Sequence, residues 1–467
     1  MKLENNYDRI AECIKSLGYH VLDKEYQKNI NEWLNWYKGE LDSFHKYKLY
    51  NGFHFIDKKR ASLRMPKRVA EEWASLLYND KVCITVKDAV QRTLDDILSE
   101  NRFNYKFSEL IERTFALGIG ATVVFADAQG NPKIDYLVAP MIFPLKQENG
   151  EIVDCAFGSV KGEALYINIH VKNDDGSYTV INHMYAKSDK GYESVKLESI
   201  TQSAVYPVKM FQIYKPNIAN NIDLFTPYGM SIYANAIEQN KVIDITYDSL
   251  KNEFELGRKR LFLALDVLTS KPITNEKGET FEVPVFDEEQ TEFFALPDSN
   301  GNQDKLIAEI NPQLRITEHI DALQTVMNIF ADTCGFGPDR FVFRDGKVYT
   351  NADQVISTQS KLYKNIVNHE KVLRYSMIEL IKAVLYVANG SEYINDVTID
   401  FDDSIIEDSE KTRNQALLEL NNQLIDDVQY YIDVYKMTEE QAIEFRDKIS
   451  ERSPQEEEIE EEPPEGA

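Results

Sequence analysis

The sequence predicts an α+β protein: helices at both ends and an antiparallel sheet region between them. Three observations carry this. Apolar residues recur at helical spacing through most of the first 120 residues. From Ala121 to about 214, short apolar runs alternate with turn residues. Beyond Ser231 long helical patterns return, interrupted by a short strand-rich insertion and then by a glycine-containing loop.

The elements follow in order. "EYQKNINEWLNWYKGE" carries Tyr26, Ile30, Trp33, Leu34 and Tyr37 on one helical face. "RMPKRVAEEWASLLYND" offers Pro66 as a helix start, with Val69, Trp73, Leu76 and Leu77 on one side. Two more helices are expected over about 87–100 and 104–117, ending at Gly118 and Gly120. The sheet region is punctuated by Gly130-Asn131, Asn149-Gly150, Asp174-Asp175-Gly176 and Lys190-Gly191. Between these, "YINIHV" and "YTVINHMYA" have strand length and pattern, so hairpins are expected.

Ile243, Tyr247, Leu250, Phe254 and Leu261 then keep one face over about 30 residues, roughly 45 Å of helix at 1.5 Å per residue. An insertion over about 263–314 holds a turn at Glu276-Lys277-Gly278 and the strands "TFEVPVF" and "EFFALP". Ile316, Ile320, Leu323, Met327 and Phe330 resume a helix. Gly335, Gly337 and Pro338 break it, and a loop of about seventeen residues follows. Val355, Leu362, Ile366, Leu373, Met377, Leu380 and Val384 mark a helix of about 35 residues, with Thr350 and Asn351 as capping side chains. The strand "VTIDF" and a helical segment over about 409–451 complete the order, with Thr438 and Gln441 as a capping box. The end, "SPQEEEIEEEPPEGA", carries seven glutamates and three prolines and should be disordered.

Composition narrows the function. The 467 residues are 43% hydrophobic, enough for a large core and several domains. Asp and Glu outnumber Lys and Arg by 78 to 52, a formal charge of −26. Such a chain should not grip nucleic acid over its whole surface, since phosphate contacts need Lys and Arg. The same balance argues against docking on anionic membranes. Cys13, Cys83, Cys155 and Cys334 show no C-x-x-C spacing, so free thiols in a reducing cytoplasm are expected. "MKLENNYDRI" does not read as a signal peptide. Val372 to Val387 is interrupted by Arg374, Glu379 and Lys382, which suits an amphipathic helix and not a membrane span.

Catalytic signatures are absent. No G-x-x-x-x-G-K-[ST], H-E-x-x-H or G-x-S-x-G occurs. Gly118-Ile119-Gly120 follows a helix and precedes a strand, the wrong order for dinucleotide binding, and reads as a helix terminator. The acids Asp396, Asp400, Asp402, Asp403, Glu407 and Asp408 admit two readings. They could hold divalent ions in a nuclease, with Asp400, Asp402 and Asp403 as ligands. The plainer reading is a strand edge, a turn and an acidic helix N-terminus. No catalytic residue, metal site or cofactor is expected. The triplet Arg258, Lys259 and Arg260 falls near the end of the first long helix, where cations complement the helix dipole. Its sharper reading is a phosphate or partner contact. In the loop after Cys334, Arg340, Arg344 and Lys347 stand against Asp339 and Asp345. A structureless loop of this length inside a compact region is uncommon and often functional.

The order of elements resembles the portal proteins of tailed double-stranded-DNA phages. "MPKRVAEEWASLLYND" is similar to an early helix of portals from phages of Gram-positive bacteria. "NADQVISTQSKLYKNIVNHEKVL", 351–373, resembles the polar helix that opens their longest element, although Asn351-Ala352-Asp353-Gln354-Val355 keeps its capping character more than its identities. The resemblance covers about 1–450. It implies a portal fold with long stem and wing helices, an antiparallel β wing region, a small α/β clip and a helical C-terminal crown. Mapped here, the wing is 1–227 plus 352–408, the stem 228–262 and 315–334, and the clip 263–314. The tunnel loop is 335–351, the crown 409–452 and the acidic tail 453–467.

The resemblance implies a ring of identical subunits, usually twelve, at one capsid vertex of the virion, assembled in the host cytoplasm. The ring would be a channel for DNA packaging and ejection, without catalysis of its own. Partners so implied are the terminase large subunit, the major capsid and scaffolding proteins, a head-completion or adaptor protein, and double-stranded DNA in passing. Arg340, Phe341, Phe343, Arg344 and Lys347 would line the channel, with Phe341 and Phe343 packing the loop. A metal-dependent nuclease of phage origin, or another capsid assembly or adaptor protein, is the alternative.

Overall fold

The computed structural model describes residues 3–50, 52–162, 164–188, 191–195, 203–264, 270–275, 277–284, 293–296, 307–342, 352–389, 397–401, 416–422, 424–435, 437 and 439–450. The chain divides into two compact units, Met1–Phe401 and Asp402–Ala467.

The first unit opens with α1 (Leu3–Ser16), α2 (Gln27–Lys38) and a single turn, α3 (Asp42–His45). Helix α2 buries Ile30, Trp33 and Trp36 and stops where Gly39 takes φ 68°, the left-handed cap that favours glycine. An antiparallel hairpin, β1 (Lys46–Tyr50) and β2 (Phe55–Lys59), follows where helix was expected. The first strand begins Lys46-Tyr47-Lys48-Leu49, a period of two that the surrounding helical pattern hides. Helix α4 (Met65–Leu77) starts at Pro66 and buries Val69, Trp73, Leu76 and Leu77, the expected face. Strand β3 (Cys83–Thr85), α5 (Asp88–Glu100) and α6 (Phe103–Leu117) follow, and Gly118 at φ 84° ends α6.

Strands β4 (Gly120–Ala126), β5 (Pro132–Val138), β6 (Ile142–Glu148), β7 (Glu151–Lys161), β8 (Ala164–Lys172), β9 (Tyr178–Ser188), β10 (Gly191–Val195), β11 (Ser203–Tyr206) and β12 (Phe211–Tyr214) build two sheets. One is antiparallel in the order β10-β9-β8-β7-β6, with β11 added on β9; the other runs β12-β4-β5. Three hairpins turn at the expected Gly130, Gly150 and Gly176, while Lys190 lies outside the described residues. Helix α1 lies on the larger sheet, packing Tyr7, Ile10 and Ile14 against Phe143, Leu165, Ile167 and Ile169. Gly158 makes this possible: a Cβ there would stand 2.5 Å from Ile10 Cγ2.

Helix α7 (Ile237–Leu256) is shorter than its sequence pattern suggested: 20 residues, roughly 30 Å. Gly257 caps it, and Leu261 belongs to strand β13 (Arg260–Ala264) and not to the helical face. The expected stem helix over 228–262 is therefore corrected to this span. A Cβ at Gly257 would sit 2.3 Å from both Glu253 O and Leu314 Cδ2, so glycine lets the returning chain close on the helix end. Strands β14 (Ser270–Thr274), β15 (Thr280–Pro284), β16 (Phe293–Leu296) and β17 (Ile307–Ile310) complete the insertion. β14 and β15 form a hairpin; β13 pairs in parallel with β16 and antiparallel with β17. The described residues of the insertion form strands alone, and the helix implied by an α/β clip is not among them.

Helix α8 (Ile316–Thr333) runs back along α7. Helix α9 (Ala352–Asn389) has 38 residues and packs on β4, β5 and β12 through Ile366, Leu373, Met377, Leu380 and Val384. Strand β18 (Thr398–Asp400) pairs with β3. In the second unit, α10 (Asp427–Tyr435) packs on α11 (Glu439–Ser450), with Tyr431 and Phe445 edge to face at 5.1 Å. The capping residues Thr350, Asn351 and Thr438 and the acidic tail lie outside the described residues.

Candidate functional site

The expected tunnel loop begins where α8 ends, and its first eight residues, 335–342, are described. Gly335 and Gly337 take φ 89° and 93°, which β-carbon residues avoid, so the chain can reverse within four residues. Behind this turn sits an aromatic cage. Trp73 of α4 stacks on Phe336 at 4.7 Å and meets the edge of His369 at 4.8 Å, while Phe115 meets His369 at 5.0 Å. The Trp73 Nε1–H donates to Cys334 O at 3.0 Å. Asn365 Nδ2 donates to Gly335 O at 2.8 Å, and Asn217 N donates to His369 Nδ1 at 2.9 Å. Burial pushes the His369 imidazole down to about 4, so the ring is neutral and can accept that bond. The Cys334 thiol is pushed up by burial, which keeps it an unreactive neutral group.

The loop's two described candidates do different things. Phe341 is 2% exposed: it meets Phe336 at 5.6 Å, carries the Arg68 guanidinium 5.0 Å from its ring, and its carbonyl accepts from Gln324 Nε2 at 2.8 Å. Its ring thus packs into the chain's own core. Arg340 is ion-paired with Glu72, both about one-third exposed. Phe343, Arg344 and Lys347 lie outside the described residues.

The basic triplet falls after α7, not within it. Arg260 Nη2 donates to Leu256 O at 3.3 Å and so satisfies one of the last helical carbonyls. Lys259 pairs with Glu309 of β17 at 2.8 Å, and Arg258 is exposed. Nearby, Glu253 fixes the start of α8: its carboxylate accepts from Arg315 N at 3.1 Å, Nε at 3.3 Å and Nη2 at 3.0 Å. Those bonds hold the Glu253 carboxyl down at about 2.

Two buried carboxylates escaped the sequence reading. Asp244 Oδ1 accepts from Leu63 N at 2.9 Å and its Oδ2 faces His45 Nε2 at 3.2 Å. Asp248 Oδ1 accepts from Ala61 N at 3.0 Å, and Tyr47 OH donates to its Oδ2 at 3.4 Å. Burial pushes the Asp244 carboxyl above its ordinary value despite these donors. Their spacing of four residues on a helix was the available signal, but on sequence alone it reads as a solvated face.

Of the acidic cluster, Asp400 lies on β18 opposite Cys83; Asp396, Asp402, Asp403, Glu407 and Asp408 lie outside the described residues. Among the described residues no group of three or more His, Cys, Asp or Glu could hold a metal ion, and no helix is long and apolar enough to cross a membrane.

The family model described as "Phage portal protein, SPP1 Gp6-like" matches residues 20–461. Among solved structures, a chain from the "Neck of native GTA particle computed with C12 symmetry" is similar at 10% identity and a TM-score of 0.40, over 79% of this chain and 89% of that one. No curated protein matches. Because the family model spans nearly the whole sequence, the chain belongs to the phage portal proteins of the SPP1 Gp6-like family.

Proposed function

We propose that this chain assembles into a ring at one capsid vertex and forms the channel through which double-stranded DNA is packaged and ejected. In this reading α7 and α8 are the stem, β13 to β17 the clip that meets the terminase motor and later the head-completion protein, and α10 and α11 the crown. The wing is residues 1–227 together with 352–408, which include α9. The capsid and scaffolding proteins meet the ring's outer side.

The observation that carries the reading is the route of the chain at Cys334. A helix of 18 residues ends in a tightly packed turn, about seventeen residues of sequence separate it from the next helix, and that helix of 38 residues packs on the sheet. A tightly packed root followed by a long intervening segment suits a loop presented to a passing polymer. The charge of −26 supports it: an acidic wall repels the DNA backbone and lowers friction, while a few cations in a loop give transient contact. Arg344 and Lys347 are the loop cations assigned that contact, since Arg340 is held by Glu72. Symmetric ring assembly follows from presenting the same loop many times around one axis.

Negative-stain class averages of the purified protein test this. Rings with an axial hole are expected; monomers at every concentration and salt condition would overturn it.

A further inference from the structure

The β1–β2 hairpin does not fit a subunit surface that stays in water. Its tip exposes Tyr50 at 57%, Phe53 at 90% and Phe55 at 68%, with the Tyr50 and Phe55 rings tilted against each other at 5.3 Å. Its flanks are basic: between Lys46 and Arg60 stand five Lys and Arg against Asp57 alone, in a chain of net charge −26. Register places Lys46 directly opposite Lys59, and Asp42 pairs with Lys46 at 2.8 Å, which leaves Lys48, Lys58 and Lys59 as the exposed cations of the strands. An isolated two-stranded ribbon is marginal in water at best.

Yet its root is fixed with unusual care. Arg60 donates to Phe44 O at 2.7 Å and lies 4.2 Å from the Phe44 ring and 5.0 Å from the Tyr47 ring. The next residues donate their backbone N–H groups to Asp248 and Asp244, the carboxylates that α7 holds buried. The protein spends two buried carboxylates on aiming a ribbon whose tip leaves three aromatic side chains largely exposed.

We propose that this hairpin is an arm that docks on the acidic surface of a second copy of the chain, joining neighbouring subunits in the ring. The inference rests on the ring reading above and adds which element makes the joint. Charge complementarity selects the partner: a basic ribbon meets an otherwise acidic copy of the same chain, and steering of this kind favours encounter in one orientation. The aromatic tip selects protein over nucleic acid. Duplex DNA offers phosphates but keeps its bases stacked, so it gives three exposed rings no apolar surface; aromatic platforms serve unstacked strands. At a protein interface the same rings are anchors.

The test uses the full chain. Benzoylphenylalanine placed at Phe53 should, on irradiation of assembled rings, give a covalent dimer whose second peptide is acidic. In parallel, the triple variant Lys48→Glu, Lys58→Glu, Lys59→Glu should keep its circular dichroism spectrum but need at least tenfold more protein to form rings. Wild-type rings that yield no dimer and tolerate the charge reversal would overturn the arm while leaving the ring intact. Crosslinking to added duplex DNA in preference to protein would overturn it as well. Wild-type protein that never forms rings would remove the ring reading, and the arm with it.

Discussion

The indole of Trp73 donates a hydrogen bond to the carbonyl oxygen of Cys334 across 261 residues of sequence, at 3.0 Å. It joins α4 to the end of α8 at the point where the loop begins. Trp73→Phe keeps much of the packing but leaves that buried carbonyl without its donor. A loss of about 1–3 kcal/mol is expected. Urea denaturation followed by circular dichroism reads it, and a midpoint equal to wild type would refute the role given to this bond.

His369 predicts an acid sensitivity. Its folded value of about 4 lies below the 6.5 of the free side chain, so the unfolded state takes up the proton first. The contribution is complete above about pH 6.5 and is lost as pH falls toward 4, by an amount on the order of 3 kcal/mol. His369→Gln should flatten this part of the stability curve relative to wild type. Parallel curves from pH 7.5 to 4 would contradict it.

Glu253 acts in a lower window. Its folded value of about 2 lies below the ordinary 4.5, so its contribution is present above 4.5 and is lost as pH falls toward 2. Arg315 is 68% exposed, so solvent screening keeps the effect small and salt reduces it further. Thermal melts of Glu253→Gln should converge on wild type near pH 2.5 and diverge above pH 5 in low salt. The gap should narrow in 1 M NaCl; a gap that widens there would rule out the ion pair as its cause.

The loop cations should separate. Arg340 pairs with Glu72 at a partly exposed site, so Arg340→Ala should change stability by less than about 1 kcal/mol and leave packaging near normal. Arg344→Glu should impair packaging while rings still assemble. An in vitro packaging assay scored by nuclease-protected DNA compares the two. Normal packaging by Arg344→Glu would return the loop to a passive surface.

Much of the fold is legible because it follows from local periodicity. Val69, Trp73, Leu76 and Leu77 specify the buried face of α4, and Gly118 specifies the end of α6. The failures are equally physical. Leu261 continues the helical period of α7 by coincidence, while Gly257 has already ended the helix. The hairpin at Lys46–Lys59 carries Asn51-Gly52, a strong turn pair, but it is embedded between helical patterns and keeps most of its side chains in water, so no buried face announces it. The root of the loop is the least legible part. Gly335 and Pro338 mark a break, but what holds the break comes from Arg68, Trp73, Gln324 and Asn365, and no local pattern links those positions.

Three of the loop's attachments sit on α4: Arg68 against Phe341, Glu72 on Arg340, and Trp73 on Cys334 and Phe336. They occupy less than two turns of one helix. A load applied at Arg340 therefore does not stop at the corner of α8. It is passed to α4, and through the packing of α4 on α6 to the N-terminal helices. The corner behaves as a bracket bolted to a beam, so the strength with which this loop resists a pull is set largely in the first third of the chain.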